Sequence, residues 1–254
     1  MTTTHETALR FSLGILATAT AAHDTGRDDD IALPKLPGFV ESAFSPLAYE
    51  VSSRCLTAHP GDGARTAVAL ASLAGDTTTA DLASRRMVSG RVHNPLLFMQ
   101  ATANSVLGHM SREFGITGQM FSLSTLVDPL SELLSMADVL LDDPELDRVL
   151  VLGVELGGGE RVTAVHRELA ATSGRSGPAA ALPASAGLAA AVLLGRPGDA
   201  AGPQVSIRST GSTRASAGRL GSIQSLFELA AAHAEPRTEA EPRTETETHP
   251  HAHQ

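Results

Sequence analysis

Residues 148–154, Arg-Val-Leu-Val-Leu-Gly-Val, form an apolar run with no polar interruption after Arg148. A strand with one face in water alternates apolar and polar side chains, whereas an unalternated run needs cover on both faces. The segment therefore demands a sheet held between two layers, as in α/β folds. The rest of the chain supplies the pieces. Phe11–Ala19 reads as a buried first strand, Ala67–Ser72 as a second, and Met120–Leu126 alternates as a third. Ala186–Leu194 and Val205–Ser209 are further strand candidates. Ser45 and Pro46 open a helix, with Ser at the N-cap and Pro at the first helical position, running to about Ala58. Thr77–Thr79 begin another. One long helix is expected from Pro95 to Arg112, closed by Gly115–Gly118, and one over Pro129–Leu141, broken by Asp142-Asp143-Pro144.

The core of such a sheet must be built from Ala, Leu and Val, because only 3% of residues are aromatic and there is no Trp. A formal net charge of −9 leaves no bulk basic surface for nucleic acid or an anionic membrane. Phe11–Ala22 is too short to span a bilayer and follows Glu6, so no membrane association is expected. The lone cysteine, Cys55, excludes an internal disulfide and a Cys-rich metal site, in keeping with a reducing cytoplasm. Cys55 lies in an amphipathic stretch and reads as a small core residue.

Several patterns resemble sites without meeting their requirements. Gly157-Gly158-Gly159 has no following Lys-Ser or Lys-Thr and reads as a turn. His93, His109 and Glu113 offer a metal too few ligands, and His109 with Glu113 has the spacing of a helix-surface pair. Ser173-Gly-Arg-Ser-Gly-Pro is not a nucleophile elbow. No metal or cofactor is expected. From Ala234 onward, the imperfect repeat Ala-Glu-Pro-Arg-Thr-Glu and the terminal His-Pro-His-Ala-His carry too little apolar content to fold. The expected division is a folded domain over 1–233 and a disordered tail over 234–254.

The central segment carries a family resemblance. Asn94-Pro-Leu-Leu-Phe-Met-Gln-Ala-Thr-Ala-Asn104-Ser-Val-Leu-Gly108, then Gly115-Ile-Thr-Gly-Gln119, then Phe121-Ser-Leu-Ser-Thr125 resemble the ketosynthase stretch that leads to the catalytic elbow. Gly63–Asp76, Arg148–Glu155 and Ala189–Leu194 resemble flanking strands of the same family, so the likeness runs from about residue 10 to 210. It rests on the order of several weak motifs. It implies the α/β thiolase-like fold, mainly the N-terminal βαβαβαββ half with a truncated C-terminal half.

Two departures govern the functional expectation. The nucleophile position of the resemblance falls at or beside Val127, and a valine side chain has no heteroatom to acylate. The second half that brings two catalytic histidines to a ketosynthase has little room after residue 210. The resemblance therefore implies a non-catalytic subunit similar to a short chain-length factor of type II polyketide or polyene synthesis, or of fatty-acid-like synthesis. Its implied partner is a ketosynthase carrying the active-site Cys, with acyl carrier protein reached through that partner. Met120, Phe121, Ser122, Leu123, Ser124 and Thr125 would belong to the dimer interface strand. Phe98, Met99, Thr102, Val106 and Met110, on the preceding helix, would line the acyl tunnel. The competing reading is a stand-alone acyltransferase or hydrolase using Ser124, Thr125 or Asp128, which needs a base not visible in the sequence.

Overall fold

The computed structural model describes residues 12–90, 95–124, 129–157, 159, 163–164, 167–168, 171, 183, 185–198, 204–205 and 221–233. The apolar run becomes β4 (Arg148–Leu156), every residue of which is buried. It sits third in a six-stranded mixed sheet among the described residues. The others are β1 (Leu13–His23), β2 (Thr66–Ala71), β3 (Met120–Leu123), β5 (Gly187–Gly195) and β6 (Gln204–Val205). Their order is β3-β2-β4-β5-β1-β6. The β2 strand runs parallel to both β3 and β4, whereas β5, β1 and β6 join by antiparallel pairing.

The two-residue period of a strand sends alternate side chains of β4 into two cores. Leu150, Leu152 and Val154 meet Phe44, Leu47 and Val51 of α1 (Phe44–Ala58) and Val106, Leu107 and Met110 of α4 (Ala103–Phe114). Val149 and Val151 share the opposite core with Leu133, Leu134 and Ala137 of α5 (Pro129–Leu141) and Leu226, Phe227 and Ala230 of α6 (Gln224–Ala232). Two further helices, α2 (Thr77–Val88) and α3 (Pro95–Gln100), lie against each other between β2 and α4 in the chain.

Local chemistry moves several boundaries from where the sequence places them. Helix α1 starts at Phe44, and Ser42 rather than Ser45 accepts the Phe44 N–H, at 3.0 Å. Ser45 is instead buried in the first turn. The long helix expected over Pro95–Arg112 is two helices. Thr102 adopts an extended conformation (φ −84°, ψ 133°). The Met99 carbonyl there collects the Thr102 N–H at 3.2 Å, the Thr102 hydroxyl at 2.8 Å and the Ser105 hydroxyl. Hydroxyls that compete for a main-chain carbonyl break helices in this way. Gly115 ends α4 as expected, in the left-handed region at φ 63° that favours glycine. The expected strands over Met120–Leu126 and Val205–Ser209 are described only to Leu123 and at Val205. The tail over 234–254, the loop from Ser173, Gly158 and His93 lie outside the described residues.

Candidate functional site

In sheets with parallel strands, ligands gather at the carboxyl ends of those strands. Here the ends of β2, β3 and β4 bring together Ser72, Leu73, Ser124 and Glu155, and the 3₁₀ turn Gly221–Ile223 adds Ser222. Ser124 donates its hydroxyl to the Leu73 carbonyl at 2.8 Å. Leu73 N–H donates to Glu155 Oε1 at 2.6 Å, and the Ser222 hydroxyl donates to the same oxygen. Glu155 is only 5% exposed. Burial pushes its carboxyl up to about 7, against the pull of the Ser222 and Leu73 hydrogen bonds. Asp76 at the same end is also raised by burial, but its carboxylate is occupied in capping α2 through the Thr79 N–H (3.0 Å) and hydroxyl (2.7 Å).

Neither acid was singled out from the sequence. Glu155 follows the apolar run 148–154 in the sequence and sits before a Gly-rich turn, where an acid ordinarily reads as surface. Its one distinguishing signal is adjacency to a run that must be buried on both sides. Of the hydroxyls near the nucleophile position, Ser124 is committed to the Leu73 carbonyl. Thr125, Val127 and Asp128 lie outside the described residues.

Residues 120–123 form the outer strand at one edge of the sheet, each half-buried. The Gln119 and Leu123 carbonyls accept the Val68 and Ser72 N–H groups at 2.9 and 3.1 Å. Backbone groups alternate sides along a strand, so Met120 and Ser122 direct theirs away from β2. The five tunnel candidates divide. Val106 and Met110 are closed within the core, with no exposure. Phe98 (44%) and Met99 (64%) are exposed, as is Thr102. Leu96 of α3 and Met87 and Val88 of α2 are exposed with them. A six-residue helix presenting three large apolar side chains to water is unusual for a finished surface.

His109 and Glu113 do form a helix-surface pair, at 3.6 Å. Glu113 also accepts the Tyr49 hydroxyl at 2.7 Å, which raises the Tyr49 phenol, and the His109 ring meets the rings of Phe39 and Tyr49 edge-on. Cys55 is buried in α1 with its thiol pushed up to about 12 by desolvation. No group of three or more potential metal ligands occurs among the described residues, and no described helix is long and apolar enough to cross a membrane.

No family model matches the sequence, and no curated protein matches it significantly. Solved structures do match. The ketosynthase ApeO in complex with its chain length factor ApeC from Xenorhabdus doucetiae aligns with a TM-score of 0.54 at 18% identity, over 74% of this chain and 80% of that one. The ishigamide ketosynthase/chain length factor aligns at 0.53 and 13%, over 76% and 64%. The AntDE:AntF assembly, a type II acyl-carrier protein in complex with its ketosynthase bound to the hexaketide, aligns at 0.50 and 12%, over 74% and 63%. The chain thus spans less than two thirds of the last two. The strand order, the two flanking helical layers and these likenesses together give the chain the thiolase-like fold of the ketosynthases.

Proposed function

We propose that this chain is a non-catalytic, chain-length-factor-like subunit that pairs with a cysteine-bearing ketosynthase in type II polyketide, polyene-like synthesis. The observation that carries the reading is the outer edge of β3. Among the described residues no strand pairs with its Met120 and Ser122 backbone groups, and an open edge of this kind is a template for pairing with another chain. The exposed apolar side chains of α3 belong to the same reading. Phe98, Met99 and Thr102 would face an acyl tunnel shared with the partner, and Val106 and Met110 would back its wall from the core. Each methylene of the growing chain gains about 0.8 kcal/mol by burial until it meets that wall. Acyl carrier protein would dock on the partner, since an acidic chain offers it no electrostatic attraction.

The test is co-expression with a candidate ketosynthase. Ser122→Pro removes an outward N–H and leaves the hydrogen bonds from Val68 and Ser72 to the Gln119 and Leu123 carbonyls in place. The expected result is a folded chain that no longer co-purifies with the ketosynthase. Wild-type chain that never co-purifies, or a Ser122→Pro variant that co-purifies unchanged, overturns the reading. Truncating Met99 or enlarging Thr102 should shift product length in the complex. Incubation with an acyl-carrier thioester should leave the intact mass of this chain unaltered.

A further inference from the structure

One polar chain crosses the rim of the sheet and ends on the 3₁₀ turn that opens α6. It runs from the Ser124 hydroxyl to the Leu73 carbonyl, and from the Leu73 N–H to the Glu155 carboxyl, which also receives the Ser222 hydroxyl. The acid joins three elements directly, the ends of β2 and β4 and the 3₁₀ turn that opens α6, and the Leu73 carbonyl adds the end of β3. Among the described residues, the turn and helix otherwise pack on the sheet through apolar side chains. Ile223, Leu226, Phe227 and Ala230 lie in the core shared with β1, β4 and β5. Ser222 is therefore the polar anchor of the turn.

Among the described residues, the groups that meet the Glu155 carboxyl are neutral. The turn after β2 brings the Leu73 amide, and its acid, Asp76, is held by Thr79. The neighbouring strand β5 brings Gly187 and Leu188 beside Leu156 and Glu155. The 3₁₀ turn brings Ser222, and in α6 Glu228 is exposed and bonded to Gln224 at 2.7 Å. Helix α5 carries Glu132 and Asp138, and Arg27 lies over the Phe227 ring at 5.7 Å beside its own partner Asp29. None of these charges sets the Glu155 proton, which burial governs. As a neutral acid, Glu155 satisfies both donors with one oxygen and leaves no buried charge. As a carboxylate it keeps both bonds but lies buried with no cation beside it among the described residues, where a charge is costly.

We propose that Glu155 is a pH-dependent latch: the neutral acid fastens the Gly221–Ile223 turn and α6 across the rim of the sheet, and ionisation releases them. The sign follows from the direction of the shift. The closed state favours the proton, and opening returns the carboxyl to water and to its ordinary acidity. The fraction of open molecules therefore grows as pH rises through neutrality. This inference stands independently of the partner role.

Hydrogen exchange followed by mass spectrometry on the full chain tests it, at about pH 6 and about pH 8.5, after correction for intrinsic exchange. In the wild type, the opening constant of peptides covering 221–233 should rise roughly tenfold between the two, while α1 peptides keep theirs. Glu155→Gln, which keeps the acceptor and cannot ionise, should remove the rise. Ser222→Ala, which deletes the anchor, should raise opening already at pH 6. Wild-type protection of 221–233 that does not change with pH overturns the proposal. So does an undiminished rise in Glu155→Gln, or full protection in Ser222→Ala at pH 6. If Glu155→Gln does not fold, the wild-type profile and Ser222→Ala decide the matter alone.

Discussion

Two side chains with displaced protons set the residue-scale chemistry. The Cys55 thiol is fully buried beneath α1, its Sγ 3.8 Å from the Ala191 carbonyl, and desolvation pushes it up to about 12. Only the thiolate reacts with a disulfide reagent, so near pH 8 the native thiolate fraction falls by a factor on the order of a thousand relative to an ordinary cysteine. An aromatic disulfide reagent should leave the native chain unmodified at pH 8 and titrate one thiol in denaturant; rapid native modification would contradict the packing. Glu155 makes the opposite kind of statement, about stability. Its folded carboxyl lies at about 7 against a reference of 4.5. A raised carboxyl contributes stability that is complete below the unfolded value and is lost as pH climbs through the folded one. Denaturation midpoints should therefore fall between about pH 5 and pH 8, by at most about 3 kcal/mol. Local release of α6 limits the loss, because it rehydrates the charge without unfolding the sheet. Glu155→Gln should flatten the profile and exceed the wild type in stability at pH 8.

Among the elements, the strands were the most legible in the sequence and the helix boundaries the least. The run at 148–154 demanded cover on both faces, and β4 has it, because a strand without polar positions has no other stable placement. Helix α5 matched its expected limits, since Pro129 starts it and Asp142-Asp143-Pro144 stops it. The expected continuous helix through Thr102 failed because side-chain hydroxyls took the Met99 carbonyl, a local competition that periodicity does not register. Helix α6 went unassigned although Leu226, Phe227, Leu229 and Ala230 have helical spacing, because nine residues beside a repetitive polar tail carry a weak signal. What secures α6 is also not a periodic feature. Gly153 interrupts the apolar run of β4, and a Cβ there would come within 2.7 Å of Ile223 Cγ2 and 3.0 Å of Leu226 Cδ2. The glycine is the seat of the turn and helix. Gly153→Val should lift both from the sheet at a cost of about 1–3 kcal/mol. Exchange in 221–233 would then rise at every pH, unlike the pH-dependent release by Glu155. An unchanged melting temperature would show that the helix is seated elsewhere.

For the whole molecule, the open edge and the exposed apolar side chains have to be weighed against the net charge. Val40, Met87, Val88, Leu96, Phe98 and Met99 are all more than two-fifths exposed, and Arg86 of α2 meets Glu41 next to Val40 at 3.5 Å. Such side chains favour association, whereas a formal charge of −9 on each copy opposes it. The two terms respond to salt in opposite ways. Screening suppresses like-charge repulsion beyond about 10 Å at 0.1 M and leaves apolar burial essentially intact. The isolated chain should therefore self-associate more as salt increases, and association driven by ion pairs would do the reverse. Replacing Phe98 and Met99 together by Ser should suppress the salt-promoted association in light scattering. Both side chains are exposed, so the melting temperature should move little. In a co-expressed pair with a ketosynthase the same double substitution should weaken the complex, because the side chains that drive self-association are those assigned to the partner. A double variant that ceases to self-associate yet binds the ketosynthase as before would separate the two surfaces and leave the β3 edge as the sole docking element.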